Sequence, residues 1–489
     1  MSIQGALATA LSGLQVEQQQ ANLIANNVAN ASTPGYVRRT LPQSELVTGG
    51  VGAGVVAGAI QRLGDSMLAA SANQAGGAQA YSQRMVDVLT TYTQAVGQPG
   101  EQGTLPSAIS AFQSALTTLS ATPSDSVAQG AAVTAAQNVV AALHGLDAAA
   151  AGARQQADAG IAGDVGSVNA TLDQLARNQA GLQNAAARGE STASFQDTQA
   201  SLIASLSQKL PVKTFNGPND SLIVTTDGGT TLFDGSAAHH LAFAASSGLP
   251  ASAGIGGTPG QVTVDGQPLQ ISQSGSIAAN LTLRDTTLPG FASQLDQLAG
   301  NLIAAFQSAD PTVSAAAPAG LFTNAGQALP AGGTAAPGLA GSIALNAAVD
   351  PTQGGASWRM RDGVNAGAQG QATDNATVLA FVQALGAAGS YTTGSGLPAS
   401  ASIADAGTEL AGLQQGALSQ WTATNTARGT QAQDAQTALS SQTGVNIDTE
   451  MQRLLVVQQA YSASAQVIQV ANQMLSTILM TTQAAAQVA

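Results

Sequence analysis

The chain contains no cysteine. That excludes a disulfide, a thiol nucleophile and a thiolate-held metal, and it leaves the compartment open. Charge is scarce as well: 8% of residues are Asp, Glu, Lys or Arg, against roughly 25% in an average protein. Lys209 and Lys213 are the two lysines, and the net charge is −13. A nucleic-acid binder needs a basic face, and attachment to anionic lipid needs a basic patch; this composition provides neither. Aromatics are 3% of the chain, so its cores must be built from Ala, Leu, Val and Ile. No run of about 18 apolar residues occurs, which predicts no membrane-inserted helix. The first cation is Arg38, and the apolar residues before it are periodic rather than continuous. That pattern predicts no cleaved secretory signal.

What the chain does have is length and a seam at each end. Its 489 residues suffice for several domains with cores of their own. Near the start, Leu7, Leu14, Ala21 and Val28 form one row at seven-residue spacing. Ile3, Ala10 and Ile24 form most of a second, which Glu17 interrupts. Near the end, Ile447, Leu454, Tyr461, Ile468 and Leu475 form one row, and Met451, Gln458, Ala465, Asn472 and Leu479 the other. A sustained repeat of 3.5 residues marks helices that pack along their length on a partner. A short amphipathic helix on its own core carries a similar stripe. The repeat here runs over four turns at both ends, with polar Gln458 and Asn472 placed to fix register. The pattern predicts that the ends pair and the middle is displayed, the plan of a subunit that stacks into a larger object.

Between the seams the spacing predicts a helix over 3–30 stopped by Pro34-Gly35, and a strand or extended arm over 49–60. Helical spacing returns over 62–96, with a weak spot at Gly76-Gly77, and over 104–120, 125–160 and 161–210, with joints at Gly103, Pro123, Gly160 and Pro211, some of which could be breaks within one long helix. After Pro211 the period changes: SLIVTTDGGTTLFDG and QVTVDGQPLQIS each contain a strand, a turn and a second strand, which predicts a β region to about 283. Helix follows over 290–307, 374–387 and 401–440. The expected fold is mainly α with an inserted β-rich region, in nested discontinuous domains, the terminal helices pairing as a coiled-coil-like domain. Its expected parts are a terminal domain (1–65 with 435–489), a helical domain (66–211 with 371–434), a β-rich region (212–289), a helix (290–310) and a Gly/Ala-rich variable stretch (311–370).

A search for chemistry finds little. HExxH, GxSxG and GxxxxGK are absent, and Gly52-x-Gly54-x-x-Ala57 lacks the hydrophobic strand that a dinucleotide fingerprint requires. His144, His239 and His240 read as solvated or packed side chains, since adjacent residues on a strand point to opposite faces. No catalytic, cofactor-binding or metal residue is assigned. Arg284-Asp285, where the β region meets a helix, reads as a loop anchor and a helix-start acceptor. Arg38-Arg39 reads either as a solvated pair or as a contact to a neighbouring subunit.

Residues 22–38, NLIANNVANASTPGYVR, resemble the N-terminal signature of the axial proteins of the bacterial flagellum. The residues carrying it are Asn26, Asn27, Asn30, Thr33, Pro34, Gly35, Tyr36 and Arg38. The Thr-Pro-Gly-Tyr form is most like the hook-associated branch of that family; rod and hook proteins more often carry Thr-Thr-Gly. The segments 51–68, 281–299 (with Arg284 and Asp285), Thr443-Gly444-Val445-Asn446 and 454–479 are similar to further stretches of that branch. The resemblance implies a structural, non-enzymatic subunit at the junction of hook and filament, leaving by the flagellar type III route with an uncleaved N-terminus. It implies as partners copies of the same chain, the hook protein, hook-associated protein 3 and an export chaperone. Other readings are a different axial subunit, a secreted binding module that shares the export termini, and an enzyme inserted in the middle.

Overall fold

The computed structural model describes residues 3–488 except 49, 99, 219–220, 247, 250–259, 330–335 and 393. Parts of the predicted β-rich region and of the Gly/Ala-rich stretch thus lie outside the described residues. The chain opens with α1 (Ile3–Ala29). Strands β1 (Arg39–Thr40) and β4 (Gln61–Arg62) pair antiparallel and enclose a hairpin of β2 (Gln43–Thr48) and β3 (Val51–Ala57). Four helices follow, α2 (Ser66–Val96), α3 (Leu105–Ala121), α4 (Ser126–Ala187) and α5 (Ala193–Lys209). Next come two three-stranded antiparallel sheets. The first orders β5 (Val212–Asn216), β6 (Leu222–Thr226) and β7 (Thr231–Phe233). The second places β9 (Thr263–Val264) between β8 (Leu241–Ala242) and β10 (Gln267–Pro268). Helix α6 (Gly275–Thr282) passes through one π turn, Leu283–Thr287, into α7 (Leu288–Ala309). Strand β11 (Phe322–Asn324) pairs with β12 (Ile343–Leu345), which follows the short α8 (Leu339–Ser342). Helices α9 (Arg359–Asp362) and α10 (Ala376–Gly386), the ribbon of β13 (Gly389–Ser390) and β14 (Ser400–Ala401), and the long α11 (Ile403–Thr443) and α12 (Ile447–Val488) complete the chain.

Two compact units emerge. The terminal unit comprises 1–76, 169–240 and 430–489, and the second unit comprises 77–168 and 241–429. Each is discontinuous in sequence, and α1 packs on α12 within the terminal unit. The expected class, mainly α with small inserted sheets and paired terminal helices, is the one observed.

The second unit shows how a chain poor in aromatics makes a core. Helix α3 starts where Thr104 accepts the Ser107 N–H and Pro106 occupies the first turn, a position that needs no donor. Its buried residues Leu105, Ile109, Phe112, Leu116 and Leu119 recur every three or four positions, so they form one stripe. Phe112 meets Phe306 at 5.5 Å between ring centroids, and Phe306 meets Phe322 and Phe381 at 5.1 Å each. The chain has nine phenylalanines; four of them thus converge on one point and hold α3, α7, β11 and α10 together. Aromatic pairs at these separations stabilise beyond their buried area.

Three expectations change. Gly160 does not end a helix: α4 runs through it, and the missing Cβ leaves room for Asn280 and Arg84, which would otherwise lie within about 3 Å. The break falls at 188–192. Helix begins at Gly275 rather than near 290, because burial of Ile277, Ala278, Ala279 and Leu283 outweighs the weak helix propensity of Thr282, Thr286 and Thr287. The strand or arm expected at 49–60 is the second half of a hairpin, β3, whose first half, β2, precedes the predicted range.

Phe306→Ala should lower the stability of the second unit by about 3–5 kcal/mol. Calorimetric unfolding would check it, and a loss under about 1 kcal/mol would show that the ring cluster does not hold the unit.

Candidate assembly interface

The flagellar-like signature folds around one asparagine. Asn26 and Asn30 donate to carbonyls one turn back, Asn22 and Asn26, and end α1. Thr33-Pro34-Gly35-Tyr36 then makes a type II turn: the Tyr36 N–H reaches the Thr33 carbonyl at 3.1 Å, Pro34 fixes the second position and Gly35 has φ +78°. The turn brings the chain back across Asn27, which is 1% exposed. Asn27 donates to the Arg39 carbonyl and to Glu450 Oε2, each at 3.0 Å, and its Oδ1 accepts the Tyr36 hydroxyl at 2.9 Å and the Arg39 N–H at 3.2 Å. All four hydrogen-bonding positions of the amide are used. Burial pushes the Tyr36 phenol up, which keeps it the neutral donor this arrangement needs.

Glu450 is the other half of the hub. It lies in the first turn of α12, 1% exposed, and accepts from Arg38 Nε at 2.9 Å as well as from Asn27. The Arg38 N–H reaches the Thr443 carbonyl at 2.9 Å, so the Thr-Gly-Val-Asn segment between α11 and α12 is tied to the same point. A buried carboxylate is tolerated only when paired and hydrogen-bonded, and both conditions are met. Arg39 continues outward. Its guanidinium lies 4.8 Å from the Tyr36 ring, and Arg39 and Arg62, directly opposite in the β1–β4 pair, share Asp197 at 2.9 and 2.6 Å. Arg38 and Arg39 are therefore not a solvated pair: both anchor within the chain.

Along the helices, α1 and α12 run antiparallel. Asn27 meets Glu450, and a Cβ on Gly13 would lie 3.4 Å from Ser464 Oγ. Paired positions thus sum to 477 at both contacts. On α1, Ile3, Ala10, Glu17 and Ile24 lie on the row towards α12, while Ser12 faces β3. Ser12 Oγ accepts the Val55 N–H at 3.1 Å. Gly54, at φ +136°, lets the hairpin come this close; a Cβ there would meet Ser12 Oγ.

Within the single chain, α1 covers part of one predicted α12 row, together with Ala465 of the other and a row adjacent to it. Leu454 and Ile468 are half-buried as expected, but their partner row is Glu450, Val457, Ser464 and Ala471. Met451, Gln458, Asn472 and Leu479 are exposed, as are Ile447, Tyr461 and Leu475 of the other predicted row. On α1, Leu7, Leu14 and Val28 are half-buried and Ile24 is buried. The cause is that Leu454, Leu455, Val456 and Val457 are consecutive, so several stripes compete and α1 covers one of them. By the register, α12 continues beyond Ile3 from about Leu475 onward. There Leu475, Ile478, Leu479 and Met480 are 36–70% exposed. An open apolar groove of about 540 Å³ lies alongside, lined by Ile3, Ala6, Val467, Val470, Ala471 and Met474.

The Arg284-Asp285 pair lies in the second unit, at the π turn, and its geometry is that of a brace. Arg284 is 2% exposed and bonds Asp285 through two nitrogens, at 2.7 and 2.9 Å, and Asp158 at 2.7 Å. Burial alone would lower its pKa; the bonds to Asp285 and Asp158 outweigh that and hold it above the ordinary value. Asp158 also accepts the Ser246 N–H at 2.7 Å, and Phe243 lies 5.6 Å from the guanidinium. Asp285 is not a helix-start acceptor, because the helix begins ten residues earlier, at Gly275. His144 contacts the Ile343 carbonyl at 2.7 Å, and exposed His240 contacts Asp173 at 2.9 Å. Among the described residues, no three His, Asp or Glu side chains gather as a metal cluster, and no helix is long and apolar enough to cross a membrane.

Neither Glu450 nor Asp197 stands out in the sequence. The signal for Glu450 is its place one heptad before Val457; nothing local marks Asp197.

Three family models match the chain. One, for the helical domain of the flagellar hook-associated protein FlgK, covers residues 91–311. The C-terminal model of the flagellar basal body rod FlgEFG proteins covers 435–481, and a flagella basal body rod protein model covers 7–36. Flagellar hook-associated protein 1 of Escherichia coli (strain K12) is 27% identical over 316 residues, 61% of this chain and 56% of that protein. The protein of the same name from Salmonella typhimurium (strain LT2) is 27% identical over 305 residues, 59% of this chain and 53% of its own. The chain thus spans about half the length of the curated relatives it matches. A solved structure, the flagellar hook junction protein FlgK from Burkholderia pseudomallei, aligns at TM-score 0.44 and 21% identity over 52% of this chain and 46% of that one.

Glu450→Ala removes the carboxylate that half-buried Arg38 and buried Asn27 Nδ2 share and should destabilise the terminal unit by about 3 kcal/mol. Glu450→Gln keeps one acceptor and should cost less. Hydrogen exchange at α1 amides would report both, and equal protection in Glu450→Ala and the parent chain would rule the hub out as the anchor.

Proposed function

We propose that the chain is a structural subunit of the junction between flagellar hook and filament, on its similarity to the hook-associated protein 1 family of flagellar axial proteins. The observation that carries this reading is the match of residues 91–311 to the hook-associated helical domain, flanked by terminal segments that match rod proteins. The terminal unit would supply the axial contact, and the second unit would be displayed. We further propose export by the flagellar type III route without a cleaved signal. The partners would be copies of the chain itself, the hook protein, hook-associated protein 3 and an export chaperone.

The unpaired apolar surface of α12 supports assembly through the termini. Val467, Val470, Met474, Leu475, Ile478, Leu479 and Met480 are each 36–70% exposed in the single chain. Covering the remainder of each would contribute about 1 kcal/mol per side chain before ordering costs. Residues 454–489 contain no charged side chain, so a neighbouring apolar helix can approach without desolvating an ion. Leu454 and Ile468 join the two helices and would hold this surface in shape.

Cells lacking the gene should carry hooks without filaments and shed unpolymerised flagellin, as seen by electron microscopy and by assay of the medium. Missing hooks would instead indicate a rod or hook protein, and normal filaments would refute an axial role. Leu454→Asp or Ile468→Asp should abolish incorporation and leave the second unit folded; incorporation at the normal level would refute assembly through the terminal helices.

A further inference from the structure

Within the paired terminal helices, charged side chains are few. Residues 1–37 contain one, Glu17, and residues 454–489 contain none; Arg453 is the last charged residue of the chain. The two charges are each incompletely satisfied. Glu17 is half-buried on the α1 row towards α12, with no hydrogen-bond or ion-pair partner among the described residues, and burial pushes its carboxyl up. Arg453 is 48% exposed and lies 3.8 Å from Glu450, whose carboxylate already has Arg38 at 2.9 Å. Of the other charges on elements that pack against α1, Arg39 is held by Asp197, Glu45 belongs to the hairpin strand beyond β3, and Asp448 is exposed in the first turn of α12.

Both residues fall on one flank. The register that pairs Asn27 with Glu450 and Gly13 with Ser464 places Ile3 opposite Met474 and Ala10 opposite Val467. Ile3, Val467 and Met474 line the open groove. Glu17 and Arg453 continue those same two rows at heptad spacing, Glu17 on the α1 side and Arg453 on the α12 side. They stand one heptad apart along the axis, about 10 Å at 1.5 Å per residue, too far to pair within one chain. The flank is thus apolar at one end and carries one negative and one positive charge on opposite edges at the other. A second copy offers the complement of both.

We propose that in self-assembly Glu17 of one copy pairs with Arg453 of the next, fixing the axial stagger with which the uncharged terminal helices slide together. This rests on the assembly role proposed above and names the contact that sets its register. Apolar ridges alone specify register weakly, and a single polar pair at a seam is a recognised means of selecting one alignment. Two oppositely charged groups about 10 Å apart reject the neighbouring heptad alignments, because these leave each charge against an apolar edge.

The absence of native cysteine makes a direct test clean. The full chain carrying Glu17→Cys and Arg453→Cys would be produced in cells lacking the native gene, and isolated flagella would be mildly oxidised. The two thiols of one chain are too far apart to bridge. The expected result is a ladder of disulfide-linked multimers, at least about tenfold above that of either single variant. If filaments attach normally and no multimers form, the Glu17–Arg453 contact is wrong and the assembly role stands. If the parent chain itself is absent from the flagellum, both fail. Charge reversal decides the matter should the thiol variants not incorporate. Glu17→Arg and Arg453→Glu should each reduce filament attachment about tenfold, and the two together in one chain should restore it; no restoration overturns the contact.

Discussion

One buried carboxylate organises the terminal unit. Glu450 receives Asn27 from the end of α1 and Arg38 from beyond the turn, while the Arg38 backbone holds the segment before α12. In a chain with so few charges, a buried ion is a costly choice unless it fixes geometry that apolar packing cannot. Here it fixes the register of two helices whose contact surfaces are smooth. Ala10, Gly13, Ser464 and Ala471 lie among aliphatic side chains on the seam, and apolar contacts of this kind would tolerate a slip of one turn. A carboxylate that must find an amide and a guanidinium at once does not.

The second unit solves a different problem with different means. Its core gathers aromatic rings at one point, and charges are neutralised in pairs where α4, the π turn and the strand segment at 241–246 meet. Arg154 donates to the Arg284 carbonyl at 3.0 Å, and Arg284 is balanced by Asp158 and Asp285. Burial lowers the Arg154 pKa, and the nearby Arg284 adds to this. The π turn widens the helix by one residue at the point where Arg284 must reach both carboxylates. Small residues let helices approach, and a few large or charged ones decide which approach is taken.

Much of this was legible in the residues, and what was not has physical causes. Periodicity revealed the terminal helices, because a 3.5-residue repeat held over four turns keeps one apolar stripe facing a partner along the whole helix. It could not select the stripe on α12, because four consecutive apolar residues at 454–457 satisfy several stripes equally. The hairpin at Asp265-Gly266 was readable, since both residues adopt positive φ, 50° and 77°, as a two-residue turn requires. The π turn and the early start of α6 were hidden, because threonines argue against helix locally and burial decides the outcome. The motif asparagines were visible, but the role of Asn27 was not: it depends on Glu450, 423 residues away, and no local pattern encodes a pair at that separation.

That separation has a directional consequence. The contact that closes the terminal unit joins residues near the two extremes of the described chain. Any process that handles the polypeptide from one end, whether synthesis, threading through a narrow conduit or degradation, therefore meets this unit open. While α12 is still undelivered, α1 has a half-buried face with no cover and an asparagine with no acid to bond. The ring cluster of the second unit draws on residues from Phe112 to Phe381, so all of its members precede α12 in the chain.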